Sequence, residues 1–226
     1  MKADGTPVTE ADSAAEQAVF GGLQETFPSD AFLGEEIGAR PGTSGRRWIV
    51  DGIDGTYFFA GGEPTWGTLI ALETDGQIVL GLVSSPILER RWWATRGHGA
   101  FSASLSARSD ATPLRVSTTE DLRADRVVTL PRSDALSTRD RDTITHLLGG
   151  VPLALPWCHQ TRVASGEIDA AIWFGGDIWD HAAPLILVEE AGGRFSDHHG
   201  GRRLDTRTAI YSNGVIHESI LAALTK

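Results

Sequence analysis

The chain has 226 residues, of which 41% are hydrophobic, and carries a formal net charge of −10 at pH 7. No segment approaches the roughly 20 uninterrupted apolar residues that a membrane helix needs, which argues against a membrane-spanning protein. The acidic balance argues against a nucleic-acid partner, because affinity for the phosphate backbone comes chiefly from clustered Lys and Arg. The first residues lack the charged-then-apolar pattern of a secretion signal, so we expect a cytoplasmic protein.

A single cysteine, Cys158, further limits the possible classes. One cysteine excludes an internal disulfide and a zinc site built from cysteines. We expect it to be a buried thiol. The chain length fits either one large domain or two small lobes packed together.

The first half of the chain predicts one helix followed by an antiparallel sheet. Thr9 is a typical N-cap, Asp12 lies in the first turn, and apolar residues recur at helical spacing until Pro28 ends the helix. Asp75-Gly76 is typical of a tight hairpin, because both central residues of such a turn must tolerate positive φ. The predicted extended segments are residues 32–36, 48–50, 68–73, 77–84 and 91–95, with a glycine-rich loop up to Gly45.

From about Leu114 onward, the pattern changes to strands that alternate with helices, as in an α/β lobe. The expected strands are residues 168–174, 194–196 and 209–212, and the expected helices are residues 178–191 and 216–224. Gly192-Gly193 supplies the left-handed geometry that closes the first of these helices. We therefore predict two lobes, residues 1–113 and 114–226, that form one compact functional unit.

The most informative motif is a β-branched strand that ends at two aspartates, Asp51 and Asp54. These residues fall on opposite sides of an extended chain, so a shared metal requires a bend between them. Gly52 and Gly55 permit that bend, which also turns the carbonyl of Ile53 outward as a possible Mg²⁺ ligand. The alternative is an ordinary solvated turn, since aspartates are common in turns.

Two further acidic residues follow predicted element boundaries. Glu35 comes directly after an apolar extended segment, and Asp180 falls in the first turn of the helix predicted from residue 178. The helix dipole favours an anion at that position, so simple dipole stabilisation is the alternative to metal binding for Asp180.

Taken together, these segments resemble the inositol monophosphatase superfamily. Its three signatures occur in order at residues 34–36, 48–56 and 179–183, the last continuing to residues 190–193. The likeness also covers residues 2–12 and 64–72, extending through residues 90–94, and is closest in look to the histidinol-phosphate phosphatase branch. It implies an α/β (α+β layered) fold, an αβαβα sandwich with an antiparallel-sheet N-terminal lobe and an α/β C-terminal lobe.

The resemblance implies a site for two to three Mg²⁺ ions. One ion would be held by Glu35, Asp51 and the carbonyl of Ile53, and a second by Asp51, Asp54 and Asp180. A third, weaker ion would lie near Glu35. Two cations at about 3.5 to 4 Å can activate water, neutralise phosphoryl oxygens and stabilise a leaving alkoxide.

The resemblance also implies the catalytic roles and the reaction. Thr56, supported by Asp12, would help Glu35 to orient and deprotonate the attacking water. The backbone amides of Gly55 and Thr56 are candidate phosphate donors. The implied enzyme is a lithium-sensitive, homodimeric phosphatase that hydrolyses a phosphate monoester of a small metabolite, such as histidinol phosphate, an inositol or sugar phosphate, or a nucleotide-type phosphate. The alternatives are a phosphatase of a secondary-metabolite intermediate and a catalytically silent relative that binds a phosphorylated ligand.

Several positions depart from the family pattern. Gly52 replaces the usual proline, which should make the turn less rigid, and Tyr57 and Phe58 replace polar residues after Thr56. We expect this aromatic pair to pack, the alternative being an altered surrounding of the metal ligands.

The substrate pocket differs most from the pattern. Trp173 falls where many relatives have a substrate-binding acidic residue, and residues 154–156 replace a glycine-hydroxyl-alanine motif. Trp173, Trp157, His159 and Asp177 are therefore our candidates for substrate binding. An aromatic ring here could stack on a heterocycle or sugar, or could be part of the core.

Overall fold

The structure is a computed structural model that describes residues 10–106, 110–131, 135–155 and 157–225. The predicted N-cap Thr9 and the rest of the leading segment lie outside this range. Six α-helices are described: α1 (Glu10–Thr26), α2 (Thr56–Ala60), α3 (Thr138–Leu148), α4 (His159–Ala164), α5 (Ile178–Glu190) and α6 (His217–Leu224). No helix among these residues is long and apolar enough to cross a membrane.

Twelve strands are described, in two sheets. They are β1 (Ala31–Gly34), β2 (Gly38–Arg40), β3 (Arg46–Asp54), β4 (Gly67–Thr74), β5 (Gln77–Ser85), β6 (Arg90–Thr95), β7 (Ala100–Ser104), β8 (Thr112–Pro113), β9 (Val127–Leu130), β10 (Ala170–Trp173), β11 (Arg194–Ser196) and β12 (Ala209–Ser212). The first eight form one sheet and the last four form the other.

The first sheet has the order β2-β1-β3-β4-β5-β6-β7-β8 and is antiparallel except where β1 lies parallel to β3. The hairpin between β4 and β5 turns at Asp75 and Gly76, whose φ angles are 50° and 74°. This confirms the turn that the sequence predicts.

The second sheet has the order β11-β12-β10-β9, with β9 and β10 parallel and the other pairs antiparallel. Its strands lie between helices in the sequence, as the alternating pattern indicates. The observed strand β10 is shorter than the predicted segment 168–174, because Ile168 and Asp169 belong to the turn that follows α4.

Apolar faces pack these elements into five layers. Helix α1 covers one face of the first sheet, where Phe32, Trp48 and Val50 meet apolar residues of the helix. Helices α4 and α5 fill the space between the two sheets, and α3 and α6 cover the outer face of the second. The result is the αβαβα sandwich that the resemblance implies.

The centre of this sandwich is α5, which packs against strands of both sheets. Gly81 on β5 permits the approach, because a Cβ at this position would overlap the backbone of Ala183 on the helix. The single thiol, Cys158, lies in the same central core, as expected for a buried cysteine.

Several elements differ from the prediction, which also placed no individual element over β7, β8, β9, α3 or α4. The loop expected before Gly45 contains the short strand β2, the strand expected over residues 48–50 extends to Asp54, and α2 begins at Thr56. Glycine-rich composition hid β2, an edge strand that pairs with β1. The division into residues 1–113 and 114–226 remains a prediction, although the passage between the two sheets lies close to residue 114.

Candidate active site

A β-bulge bends strand β3 between the two aspartates. Asp51 lies opposite Leu69 and Asp54 lies opposite Gly67, so two residues of β3 face Thr68 alone. The Thr68 hydroxyl donates to the carbonyl of Gly52 at 2.9 Å, which satisfies a backbone oxygen that the bulge removes from the ladder. This is the bend that a shared metal requires.

The bulge and helix α5 bring three carboxylates together. One oxygen from each of Asp51, Asp54 and Asp180 lies within 4.8 Å of the other two. Asp51 is only 2% exposed, and its Oδ1 is buried with no hydrogen-bond partner among the described residues. A buried acceptor without a partner is costly unless another ligand reaches it.

Burial and mutual repulsion raise the pKa of all three groups. The pKa of Asp54 rises to about 6 and that of Asp180 to about 8, in each case mainly through burial and then through neighbouring carboxylates. The pKa of Asp51 lies well above its usual range for the same two reasons. Clustered buried carboxylates with these shifts are typical of a cation site, because a cation reverses both unfavourable effects.

Glu35 lies beside this cluster. Its backbone amide follows the parallel β1–β3 pairing and donates to the carbonyl of Val50 at 3.3 Å, which places Glu35 next to Asp51. The charge of Glu35 contributes to the raised pKa values of Asp51, Asp54 and Asp180. The structure therefore brings all four predicted acidic residues to one region.

The turn after Glu35 is held by Glu16, a residue that our sequence reasoning missed. The buried carboxylate of Glu16 accepts hydrogen bonds from the amides of Glu36 and Ile37 at 3.1 and 2.9 Å. Its pKa is raised mainly by burial. One signal was available, because Glu16 lies four residues after Asp12 and therefore on the same face of α1.

The Thr56 hydroxyl links two other predicted residues. Its Oγ1 lies 2.8 Å from Oδ1 of Asp12 and 3.0 Å from the carbonyl oxygen of Ile53. Asp12 is itself 2% exposed and lies in the first turn of α1. These contacts join α1 to the bulge. They involve the two residues, Thr56 and Asp12, that the resemblance assigns to orienting the attacking water.

The turn between β3 and α2 brings Gly55 to the same region. Gly55 has a φ of 88° and is the N-cap of α2, whose first amides have no acceptors within the helix. Of the aromatic pair that we expected to pack, Tyr57 is 71% exposed, so the expectation is wrong for its contact with the core. Phe58 is half-buried, and the Tyr57 ring lies edge-on against it at a centroid distance of 5.8 Å.

Gly52 has a role different from the flexible turn that we expected. A Cβ at this position would lie 2.7 Å from the backbone oxygen of Asp12 and 3.0 Å from the amide nitrogen of Glu16. Helix α1 therefore packs directly on the bulge, and the missing side chain is what permits the contact.

The predicted substrate residues occupy four different environments. Asp177 is the N-cap of α5 and forms a capping box with Asp180, whose Oδ2 accepts the Asp177 amide at 2.5 Å. Arg207 donates to Asp177 at 3.2 Å. The position of Asp180 thus depends on Asp177, a connection that the sequence analysis did not identify.

Trp157 and His159 flank Cys158, and only the first reaches the carboxylates. The indole Nε1 of Trp157 donates to Oδ2 of Asp54 at 2.5 Å. The ring of His159 is buried and hydrogen-bonds the carbonyl of Leu155 at 3.0 Å, and burial lowers its pKa. A substrate contact by His159 stays a prediction.

Trp173 lies at the end of β10, partly buried against the central core. Its ring packs edge-on against His181 at a centroid distance of 5.1 Å, and its Nε1 is buried without a hydrogen-bond partner among the described residues. Stacking of Trp173 on a substrate stays a prediction.

The donor set fits a hard divalent cation. All predicted ligands are carboxylate or carbonyl oxygens, which suit Mg²⁺ better than soft transition metals. The unpaired Oδ1 of Asp51 and the short spacing of the three aspartates meet the requirement for a bridging ligand.

Comparison with known proteins gives a consistent result. The model of the inositol monophosphatase family matches residues 2–226. A histidinol-phosphatase of Mycobacterium tuberculosis is 38% identical over 99% of this chain and 86% of its own length. A Streptomyces griseus protein named glucose-1-phosphate thymidylyltransferase is 41% identical over 99% of this chain and 85% of its own length.

Solved structures agree with the described fold. The extragenic suppressor protein suhB from Bartonella henselae is 31% identical, with a TM-score of 0.83 over all of this chain and 89% of its own. An inositol monophosphatase from Anabaena is 28% identical, with a TM-score of 0.82 over 96% of this chain and 87% of its own. The fold and the family implied by the sequence are thereby confirmed. The chain belongs to the inositol monophosphatase family and is a phosphoric monoester hydrolase.

Proposed function

We propose that this protein is a Mg²⁺-dependent phosphatase that uses water to hydrolyse a phosphate monoester of a small metabolite. The observation that carries the proposal is the buried, unpaired Oδ1 of Asp51 within a cluster of three aspartates. Glu35, Asp51 and the Ile53 carbonyl would hold one ion, and Asp51, Asp54 and Asp180 a second. Two to three bound Mg²⁺ ions would supply positive charge that acidifies water and neutralises phosphoryl oxygens.

The protein's own residues would orient the nucleophile. The Thr56 hydroxyl has one hydrogen, and its nearest acceptors are Asp12 and the Ile53 carbonyl. Its oxygen lone pairs are then directed to accept a hydrogen from water. Glu35, whose turn is fixed by Glu16, is the candidate to accept the one proton that this water loses, from its other O–H.

Backbone groups would bind the phosphate. The left-handed Gly55 turns the chain so that the amides at the start of α2 have no acceptors within the helix. Successive amides of this kind form a concave anion site without adding a charged side chain. The phosphate would therefore be held between Gly55, Thr56 and the carboxylate-bound cations.

Histidinol phosphate is the first substrate to test. The relatives at 38% identity include histidinol-phosphatases of Mycobacterium tuberculosis and Streptomyces coelicolor. Inositol, sugar and nucleotide-type phosphates are further candidates. A secondary-metabolite phosphate is the second candidate class, because indole rings of Trp157 and Trp173 occupy the region where the family pattern differs. We also propose a homodimer, as the family resemblance implies, and a cytoplasmic location.

The decisive experiment is phosphate release from a panel of these esters, with Mg²⁺ and with chelator. Asp180→Asn should abolish release, because it removes a charged ligand, whereas Asp125→Asn should not, since Asp125 is an exposed partner of Arg123. Full activity in chelator would refute the proposal. Glucose 1-phosphate with dTTP is a further arm, chosen for the name of the Streptomyces griseus relative.

A further inference from the structure

We infer that Trp157 is a positioning residue that fixes the carboxylate of Asp54 for cation binding. This inference rests on the proposed function, because it concerns the same site. The contact joins two distant parts of the chain, since Trp157 precedes α4 and Asp54 ends β3. No family signature noted in the sequence includes this tryptophan.

In this contact, Trp157 can only be the hydrogen-bond donor and Asp54 only the acceptor. An indole N–H can donate but cannot accept, and it does not ionise at ordinary pH. The 2.5 Å bond to Oδ2 therefore uses one acceptor position of the Asp54 carboxylate in a fixed direction. A carboxylate has about four acceptor positions, so the indole fixes its orientation and leaves others for a cation.

Two glycines, Gly67 and Gly55, leave space for the Trp157 ring. A Cβ at Gly67 would overlap the six-membered ring of Trp157, with Cζ2 only 2.8 Å away. Gly67 does not have a positive φ, so its backbone does not require glycine. The indole ring and the adjacent strand β5 are what exclude a side chain at this position. A Cβ at Gly55 would likewise lie 3.3 Å from Cδ1 of Trp157.

The backbone next to Trp157 is strained. Cys158 has a φ of 63°, a left-handed conformation that L-residues rarely adopt. Such conformations persist only when surrounding contacts determine them, and they cluster at functional sites. The carbonyl of Cys158 accepts the Thr161 hydroxyl at 2.8 Å, which helps to hold the turn that directs Trp157 to Asp54.

Trp157 also forms the wall between Asp54 and a cavity of about 660 Å³. Trp92 lines the same cavity, and both tryptophans are 7% exposed. Among the described residues, Trp92 makes no hydrogen bond to a carboxylate. It is therefore a matched control, because it has the same side chain, burial and cavity but lacks the bond to a metal ligand.

The test compares Trp157→Phe with Trp92→Phe, since phenylalanine keeps an aromatic ring and removes only the N–H donor and part of the ring. Titration calorimetry of chelator-treated protein with MgCl₂ measures affinity without substrate. We expect about 10- to 100-fold weaker Mg²⁺ binding for Trp157→Phe, as for other losses of a hydrogen bond to a metal ligand. Trp92→Phe should bind Mg²⁺ like the unaltered protein.

Tryptophan fluorescence gives a second signal that a purely structural role would not change. Mg²⁺ binding beside the indole should alter the emission of the unaltered protein and of Trp92→Phe, and this alteration should be absent in Trp157→Phe. If Trp157→Phe does not fold, Trp157→Met tests the same contact, because a flexible apolar side chain can fill the space without supplying an N–H donor. It should also weaken Mg²⁺ binding.

Two failures can be told apart. Unchanged Mg²⁺ affinity in Trp157→Phe, together with saturable binding by the unaltered protein, would overturn the positioning role and leave the proposed function intact. Absence of Mg²⁺ binding in the unaltered protein would overturn both. An equal loss in Trp92→Phe would also contradict the inference, since it would indicate a general effect on the cavity.

Discussion

Replacing Asp51 by Asn should abolish turnover and yet stabilise the protein when no metal is bound. The side chain is buried, and its Oδ1 has no hydrogen-bond partner among the described residues. Burial, and then repulsion from Asp54, raises its pKa. Removing the charge therefore removes an unfavourable interaction and few favourable ones. The shape of the side chain hardly changes, so the packing of the bulge should persist.

The magnitude follows from the spacing of the carboxylates. The carboxylate oxygens lie within 4.8 Å of one another, so two of these charges repel by at least about 3.5 kcal/mol at an effective dielectric constant near 20. Proton uptake by the metal-free cluster relieves part of this repulsion, so we expect a net gain of about 1–2 kcal/mol at pH 8. For a chain of this length, that gain raises the melting temperature by roughly 2 to 8 °C.

Urea denaturation at pH 8 measures the effect of charge repulsion when chelator is present and the effect of cation binding when Mg²⁺ is saturating. In chelator the Asn variant should have the higher free energy of unfolding, and in Mg²⁺ the order should reverse, because only the unaltered protein binds the cation tightly. Phosphate release by the same samples should be near zero for the variant. A variant that is less stable in chelator, or one that keeps most activity, would show that Asp51 is not a repelled metal ligand.

Three further changes test other parts of the site. If Trp173 stacks on the leaving group, Trp173→Ala should raise KM for the true substrate far more than for a small generic ester. Equal losses on both esters and a stability loss of about 3–5 kcal/mol would instead assign it to the core. Gly52→Ala should cost about 1–3 kcal/mol in urea denaturation, because its Cβ meets the backbone of α1; an unchanged midpoint would contradict this close packing. In chelator, the free energy of unfolding should fall as the pH rises from about 4 to 6, because the pKa of Asp54 is about 6 in the folded state and the folded state therefore binds the extra proton. With Mg²⁺ this dependence on pH should diminish. A free energy of unfolding that does not change with pH in chelator would contradict the raised pKa.

The sequence predicted the parts of the site that depend on local chemistry. Two aspartates separated by glycine at a strand end required a bend, and the structure has a bulge there. The position of Asp180 followed from the preference of a helix start for an acidic residue. The αβαβα layers followed from the resemblance rather than from periodicity alone.

Contacts between distant residues were not predictable in this way. Glu16 and the turn that it holds are about 20 residues apart, and Trp157 lies 103 residues from Asp54. The spacing on α1 indicates that Glu16 shares a face with Asp12, but it does not indicate which distant amides the Glu16 carboxylate accepts. Nor does any local pattern indicate that an indole donates to a particular carboxylate. The short strand β2 was missed for the same reason, because its stability comes from pairing and not from its own composition.

The central position of α5 makes the two halves of the chain dependent on each other. Its first turn supplies Asp180, whereas Asp51 and Asp54 come from the first sheet, and the helix packs against strands of both sheets. A chain cut near residue 114 would leave each fragment with an incomplete set of ligands and an uncovered apolar surface. In the proposed site, Mg²⁺ would bind carboxylates from both fragments, so it would promote their association into one complex.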